Sequence, residues 1–186
     1  MKKAAVLFPG IGYHVDKPLL YYGGKMAKKE GYEIITVPYT GFPKKLIGDS
    51  AMMQKAFDIG CAQAEEMLRD RRLSEYEDLI FFSKSIGTAV GASYAASHGL
   101  TRVRHILFTP VEGTFHVFQG RGIAFHGTSD PWVTDEIVEK GCEKAGLPLY
   151  IYEGANHSLE TGDVRTDLRY LQDVCEKTGA YLFGNL

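Results

Sequence analysis

Apolar runs of strand length alternate along the chain with longer segments in which apolar residues recur at helical spacing. The runs that predict strands read, in chain order, AAVLF, EIITVPY, DLIFFS, HILFT, GIAFHG and PLYIYEG. The segments between them predict helices over about 18–30, 49–71, 87–98, 132–145 and 163–178. We therefore expect an α/β fold in a single domain over residues 1–186: a three-layer sandwich with about six mostly parallel strands and helices on both faces.

Composition and charge exclude several classes of partner. The 186 residues carry a net charge of −2 and the sequence pI is about 6.3, so we expect no basic face for nucleic acid or an anionic membrane. The apolar run after the first two lysines stops at Pro9, too early for a signal peptide, and no run approaches the roughly 18 residues of a membrane span. Three widely spaced cysteines indicate reduced thiols. We expect a soluble, cytoplasmic protein.

The stretch DLIFFSKSIGTAVGASYAASHG, residues 78–99, passes directly from a strand into an alanine-rich helix. A nucleophile at such a sharp turn needs small residues two positions before and two positions after it, because the backbone there is strained. Ser83 and Gly87 flank Ser85 in this way, with Ser83 in place of the first glycine of G-x-S-x-G. Ser85 is therefore the candidate nucleophile, and a helix N-cap is its alternative role. Ser83 is a poorer candidate, since Phe81 is too bulky for the turn.

A serine hydroxyl becomes a good nucleophile when a histidine accepts its proton and a carboxylate orients that histidine. Asp130 follows the fifth predicted strand and His157 follows the sixth, on the same edge of a parallel sheet as Ser85. Asp135 is the rival acid, but it lies in a predicted helix and is expected to face solvent. His126 is the rival base, and it is expected to pack under the loop that carries Asp130.

The other histidines suggest no further chemistry. His98 is expected at a helix C-terminus, His105 at the start of a strand and His116 in a loop, while His14 either lines the site or is solvated. No histidine pair has metal-ligand spacing, so we expect neither a metal ion nor a cofactor.

The loop LFPGIGYH after the first strand is the second half of an expected oxyanion hole. One N–H donor should come from Ile86, directly after the candidate nucleophile, and the other from Ile11. The same loop lacks the third glycine of a dinucleotide-binding motif, at Val15. The loops TGFPKKLIGD and PVEGTFHVFQGR should border the site, because ligands bind at the carboxyl ends of parallel strands. The residues expected to contact substrate are Gly10, Gly12, Tyr13, Glu112 and Phe115, with Tyr39, Phe42 and Thr114 as further lining residues.

The segments VLFPGIG, SKSIGT, FHGTSDPWV and GANHSL together resemble the α/β-hydrolase superfamily, in particular its small lidless members similar to dienelactone hydrolases and short carboxylesterases. The resemblance implies Ser85 as nucleophile, Asp130 as acid and His157 as base. It also implies that Lys84 points away from the turn, as a structural or solvated residue. The chain begins at the family's third strand, and it has serine where dienelactone hydrolases have cysteine. The connection over residues 110–121 is too short for a helical lid.

The expected function is hydrolysis of small soluble carboxylic esters or thioesters through an acyl-enzyme. Two alternatives stay open: an acyltransferase that uses the same residues, and a non-catalytic binding protein on the same fold. We expect a small-molecule ester as the partner, without nucleic acid or membrane. The oligomeric state is left open.

Overall fold

The predicted apolar runs form one parallel sheet in the computed structural model, which describes residues 2–43 and 48–184. The strands are β1 Lys3–Phe8, β2 Glu33–Thr36, β3 Asp78–Lys84, β4 Arg104–Phe108, β5 Arg121–Gly127 and β6 Leu149–Tyr152. They lie in the order β2-β1-β3-β4-β5-β6, and every neighbouring pair is parallel. The expectation of about six mostly parallel strands is confirmed.

The helices cover the sheet on both sides. They are α1 Pro18–Lys29, α2 Ser50–Leu68, α3 Ile86–Ser97, α4 Glu112–Val117, α5 Asp135–Ala145 and α6 Val164–Phe183, with short 3₁₀ turns at Arg69–Arg71 and Leu73–Glu75. The predicted segment 132–145 begins its helix only at Asp135, because the residues from 130 to 134 form the turn after β5. The predicted helix 163–178 continues to Phe183.

Successive side chains of the strands point to opposite layers, and both layers are apolar. In β3, Ile80 and Phe82 join the core beneath α1 and α6, whereas Leu79 and Phe81 join the core beneath α2 and α3. Burial on both faces explains why the strands read as continuous apolar runs rather than as alternating ones. The three-layer prediction is confirmed.

The connection PVEGTFHVFQGR, expected to be a loop, contains the short helix α4. The helix is held by tertiary contacts, since Thr114 Oγ1 lies 2.6 Å from Thr88 Oγ1 on α3 and the Phe115 ring packs against Gly141 on α5. The other loop expected to border the site, TGFPKKLIGD, includes residues 44–47, which lie outside the described residues. Within residues 2–43 and 48–184, no helix has the length and apolarity needed to cross a membrane.

The chain order places a topological switch between β1 and β3. The chain leaves β1 toward β2 on one side and returns to β3 on the other side of β1, so the loops that follow β1 and β3 diverge at the carboxyl ends of these neighbours. Such a switch opens a crevice in which open α/β sheets bind ligands. The crevice is bordered by the turn at Ile11 and by Ser85.

Candidate active site

Ser85 lies at a strained turn between β3 and α3, with φ 57° and ψ −128°. A Cβ atom on Gly87 would lie 2.3 Å from the carbonyl oxygen of Phe8, so only glycine fits there. Ser83 is fully buried, and its Oγ would lie 3.0 Å from a Cβ atom on Gly91. Gly87 must be small because the backbone at the start of α3 lies directly against the end of β1. Ser83 must be small because α3 packs closely on β3 at Gly91.

His157 is held over the strand ends by a compact loop after β6. Asn156 Oδ1 accepts hydrogen bonds from the N–H groups of Ser158 and Glu160, at 2.7 and 3.3 Å. The hydroxyl of Thr109, at the end of β4, donates to the carbonyl oxygen of His157 at 3.1 Å. These contacts fix the backbone that carries the imidazole.

Ser85, His157 and Asp130 form one hydrogen-bonded chain. His157 Nε2 lies 2.7 Å from Ser85 Oγ, and His157 Nδ1 lies 2.6 Å from Asp130 Oδ2. A carboxylate only accepts, so Nδ1 carries the proton and Nε2 is free to accept one from Ser85. The Asp130 side chain is fully buried, and its Oδ1 accepts the N–H of Trp132 at 2.8 Å.

The environment of His157 favours the neutral imidazole. Burial lowers the pKa of His157 below its usual value; the hydrogen bond to Asp130 opposes this, and the nearby charge of Lys84 adds to it. A neutral imidazole at neutral pH is the form that can accept a proton.

The structure corrects the expectation that Asp135 faces solvent. Although the Asp135 side chain is 45% exposed, its Oδ1 lies 2.8 Å from Nε2 of the fully buried His126. His126 Nδ1 in turn lies 3.9 Å from Asp130 Oδ2. His126 is therefore packed beneath the loop of Asp130, as expected, and Asp135 anchors it from the first turn of α5.

The two expected oxyanion donors come from the start of α3 and from the turn after β1. Ile86 is the first residue of α3, where a helix leaves its N–H groups free. Ile11 lies in a tight turn closed by paired hydrogen bonds between Gly10 and Tyr13, and Gly12 in this turn has φ +74°. Among the described residues, neither the Ile11 N–H nor the Ile86 N–H has a hydrogen-bond acceptor.

The structure decides between the two roles expected for Lys84, structural or solvated, in favour of the structural one. Its side chain is 1% exposed rather than solvated, and its Nζ lies 5.0 Å from the centre of the Tyr13 ring. Burial lowers the pKa of Lys84 to about 7, against the opposing effect of the carboxylates of Asp130 and Glu160. Lys84 shares a face of β3 with Phe82, which explains why it points into the protein.

One cavity is lined by Ser85 itself, and a second is lined by its neighbour Ile86. The elbow cavity, about 220 Å³, is lined by residues 11–13 after β1, residues 84–86 at the turn, Met53, Trp132 and residues 157–158. The side cavity, about 640 Å³, shares Met53, Ile86 and Trp132 with it and extends along α2 and α4. The elbow cavity is therefore the one that contains Ser85 and His157 in its wall, and the side cavity adjoins it at the three shared residues.

Only some of the residues that were expected to contact substrate line these cavities. Gly12 and Tyr13 line the elbow cavity and Glu112 lines the side cavity. Gly10 instead packs under the turn, where a Cβ atom would lie 3.0 Å from the Cβ of Ser85. Phe115 packs against α5, as described above, and not on a ligand surface.

Three further residues were expected to line the site or to lie near it, and the structure gives each of them other surroundings. The hydroxyl of Thr114 is occupied by Thr88, the ring of Phe42 packs near Ile86, and His14 is exposed. Sequence reasoning missed Trp132 and Met53. The position of Trp132 two residues after Asp130 was an available signal, whereas α2 offers none for Met53.

A larger cavity, about 860 Å³, lies at the opposite edge of the sheet, where the strands begin. It is lined by charged residues, among them Asp78 and Arg104, whose side chains pair at 2.7 Å. Its size does not make it the site, because ligands of parallel sheets bind at the carboxyl ends of the strands, where Ser85 and His157 meet. In the part of the chain that the structure describes, no three His, Cys, Asp or Glu side chains gather as metal ligands would.

Comparisons with known proteins find similar structures but no similar sequences among families or curated proteins. No protein-family model and no curated protein matches the sequence. Solved structures do match: a lidless α/β serine hydrolase from Xanthomonas campestris is 14% identical with a TM-score of 0.65, over 98% of this chain and 84% of that one. The Pyrococcus furiosus esterase is 14% identical with a TM-score of 0.67, over 97% and 82%.

A third structure, of an α/β serine hydrolase homologue from Coxiella burnetii, is 15% identical with a TM-score of 0.62, over 92% of this chain and 84% of that one. Each likeness spans nearly the whole chain, although the sequences differ at most positions. The chain therefore has the fold of these α/β hydrolases, as its motifs predicted.

Proposed function

We propose that the protein is a serine hydrolase that cleaves small carboxylic esters or thioesters through an acyl-enzyme. The observation that carries this proposal is the chain of hydrogen bonds from Ser85 through His157 to the buried Asp130, at the carboxyl edge of a parallel sheet. A hydroxyl, an imidazole and a carboxylate in this order are the parts of a nucleophile with its base. The free N–H groups of Ile11 and Ile86 support the same chemistry, because they can stabilise an oxyanion.

In the acylation step, Ser85 Oγ attacks the carbonyl carbon of the substrate and His157 Nε2 accepts the hydroxyl proton. The negative oxygen that forms accepts hydrogen bonds from Ile11 and Ile86. The bond to the leaving oxygen or sulfur then breaks, and His157 gives its proton to that atom, which departs as an alcohol or a thiol.

In the deacylation step, water takes the place of the leaving group. His157 accepts a proton from the water as its oxygen bonds to the acyl carbon. The ester bond to Ser85 then breaks, the proton returns to Ser85 Oγ, and the acid is released. Asp130 holds the imidazole in one tautomer through both steps and stays ionised.

The wild-type protein and a broad fluorophosphonate probe test this proposal. We expect one phosphonyl group per chain, found by peptide mass spectrometry on Ser85, together with release of acid from short esters or thioesters. A protein that reacts with neither the probe nor any short ester or thioester would be a non-catalytic binding protein. Transfer of the acyl group to an added alcohol or amine, without release of acid, would identify an acyltransferase.

The proposed enzyme should prefer short acyl chains. Only the six-residue helix α4 occupies the connection from β4 to β5, and the cavities beside Ser85 are open grooves of limited volume. Long chains gain little there, because they would lie largely in water. In a series of 4-nitrophenyl esters, we expect the highest kcat/KM among acetate, propionate and butyrate. A steady rise from acetate to palmitate would contradict the open site.

Chelators should leave the rate unchanged. Both ring nitrogens of His157 are engaged, one with Ser85 and one with Asp130, so the proposed mechanism gives this imidazole no free atom for a metal ion. We expect the same kcat before and after dialysis against EDTA, measured with 4-nitrophenyl acetate. Loss of activity that a divalent ion restores would overturn the mechanism.

A further inference from the structure

Lys84, the residue directly before the proposed nucleophile, is buried, and its ammonium group contacts the ring of Tyr13. Within residues 2–43 and 48–184, Lys84 Nζ has no hydrogen bond and no ion pair, and its side chain is 1% exposed. Lys84 Nζ lies over the ring of Tyr13, whose centre is 5.0 Å away. Buried lysines are rare unless they are paired, because removal of an ammonium from water is costly.

The neighbouring carboxylates do not take up this charge by contact. Asp130 uses one oxygen for His157 and the other for the N–H of Trp132. Glu160 is exposed at the outside of the loop after β6. Both carboxylates act on Lys84 through space, yet burial outweighs them and lowers the pKa of Lys84. With a pKa of about 7, Lys84 lies between its charged and neutral forms near neutral pH, and a further anion beside it would favour the charged form.

Lys84 lines the elbow cavity together with Ser85 and His157. A substrate whose carbonyl reaches Ser85 would therefore place its neighbouring atoms in a small cavity of which Lys84 forms part of the wall. None of the other residues that line this cavity carries a carboxylate, so the anions that act on Lys84, Asp130 and Glu160, do so from outside its lining. A carboxylate on the substrate would complete an ion pair shielded from water, where such pairs are strongest.

We propose that Lys84 binds an anionic group of the substrate, which is therefore a small ester or thioester with a carboxylate close to the scissile carbonyl. This inference rests on the proposed function, since it concerns the substrate of the same site. The carboxylate can belong to the acyl group or to the leaving group, because both adjoin the carbonyl carbon.

Two pairs of substrates of equal shape test the charge on each side of the carbonyl. Monomethyl succinate and methyl 4-methylpentanoate differ by a carboxylate on the acyl side. Acetoxyacetate and isobutyl acetate differ in the same way on the leaving-group side. In a pH-stat, we expect kcat/KM of the wild-type protein to be higher for the anionic member of at least one pair, by about tenfold or more, or roughly 1.4 kcal/mol.

Lys84→Met should reduce this ratio to near one or below. The ratio is the readout rather than the rate, because the charge of Lys84 also acts on His157 and its loss changes the turnover of every ester. The matched control is Lys140→Met, since Lys140 is an exposed lysine on α5 that pairs with Glu136, and it should keep the wild-type ratio.

The outcomes separate this inference from the proposed function. A wild-type protein that hydrolyses the neutral member of each pair as fast as the anionic member, or faster, overturns the role of Lys84 and leaves the hydrolase standing. An anionic preference that survives in Lys84→Met also overturns it. If Lys84→Met does not fold, the wild-type ratios alone decide. If the wild-type protein shows no turnover and no fluorophosphonate labelling, the proposed hydrolase function itself is wrong.

Discussion

Ser85→Ala is expected to remove all fluorophosphonate labelling and to lower kcat by a factor on the order of 10⁵ to 10⁶, the scale of losing a serine nucleophile. Within residues 2–43 and 48–184, the hydroxyl of Ser85 is the only hydrogen-bond partner of His157 Nε2. The variant should fold, because alanine and serine meet the same strain at φ 57° and the Ser85 side chain is only partly buried. The measurements are in-gel labelling, ester kinetics and thermal unfolding of the purified protein.

Ser83→Ala is the matched control. Ser83 lies two residues earlier in β3, is fully buried and has no hydrogen bond through its Oγ in the described structure, so loss of that hydroxyl leaves a small side chain where one is needed. We expect wild-type labelling in this variant. If Ser83→Ala lost the label while Ser85→Ala kept it, the nucleophile would be Ser83 and the turn would have been misread.

The position of the turn could be predicted because its constraints are local. A strand that ends in a strained residue, with other segments packed closely on both sides, tolerates only small residues two positions before and after it. Ser83 and Gly87 are the small residues that this constraint requires, and they can be recognised in the sequence. The strands could be predicted for a similar reason. Burial of both faces leaves uninterrupted apolar runs, and these do not depend on how the strands pair.

Features that depend on contacts between segments far apart in the sequence could be predicted only in part or not at all. Helix α4 is stabilised by contacts of Thr114 and Phe115 with α3 and α5, and its own six residues, one of them Gly113, give a weak helical signal. For Lys84, the resemblance left a structural and a solvated role open, and its position on the same face of β3 as Phe82 favours the buried one. The bond from Asp135 to His126 requires the end of β5 and the start of α5 to be placed in space.

Asp130→Asn is expected to lower kcat by about 10⁴, the cost of losing the acid that fixes the histidine tautomer. The amide can present its N–H₂ group to His157 Nδ1, which would then hold the proton on Nε2 and leave that atom unable to accept one from Ser85. The substitution also keeps the shape of a side chain that is fully buried. Labelling by fluorophosphonate should slow by a comparable factor, since it uses the same activated hydroxyl.

Asp135→Asn is the matched comparison, because it makes the same chemical change five residues later and also beside a buried histidine. The Oδ1 atom of asparagine can still accept a hydrogen bond from His126 Nε2, now 2.8 Å from Asp135 Oδ1, so His126 keeps its place beneath Asp130. Since Asp135 contacts neither Ser85 nor His157 directly, we expect a loss of less than about tenfold, or roughly 1.4 kcal/mol in the activation barrier. Steady-state kinetics of the two purified variants measure both effects. The reverse ranking would show that Asp135, acting through His126, supplies the negative charge on which His157 depends, and that Asp130 mainly shapes the loop.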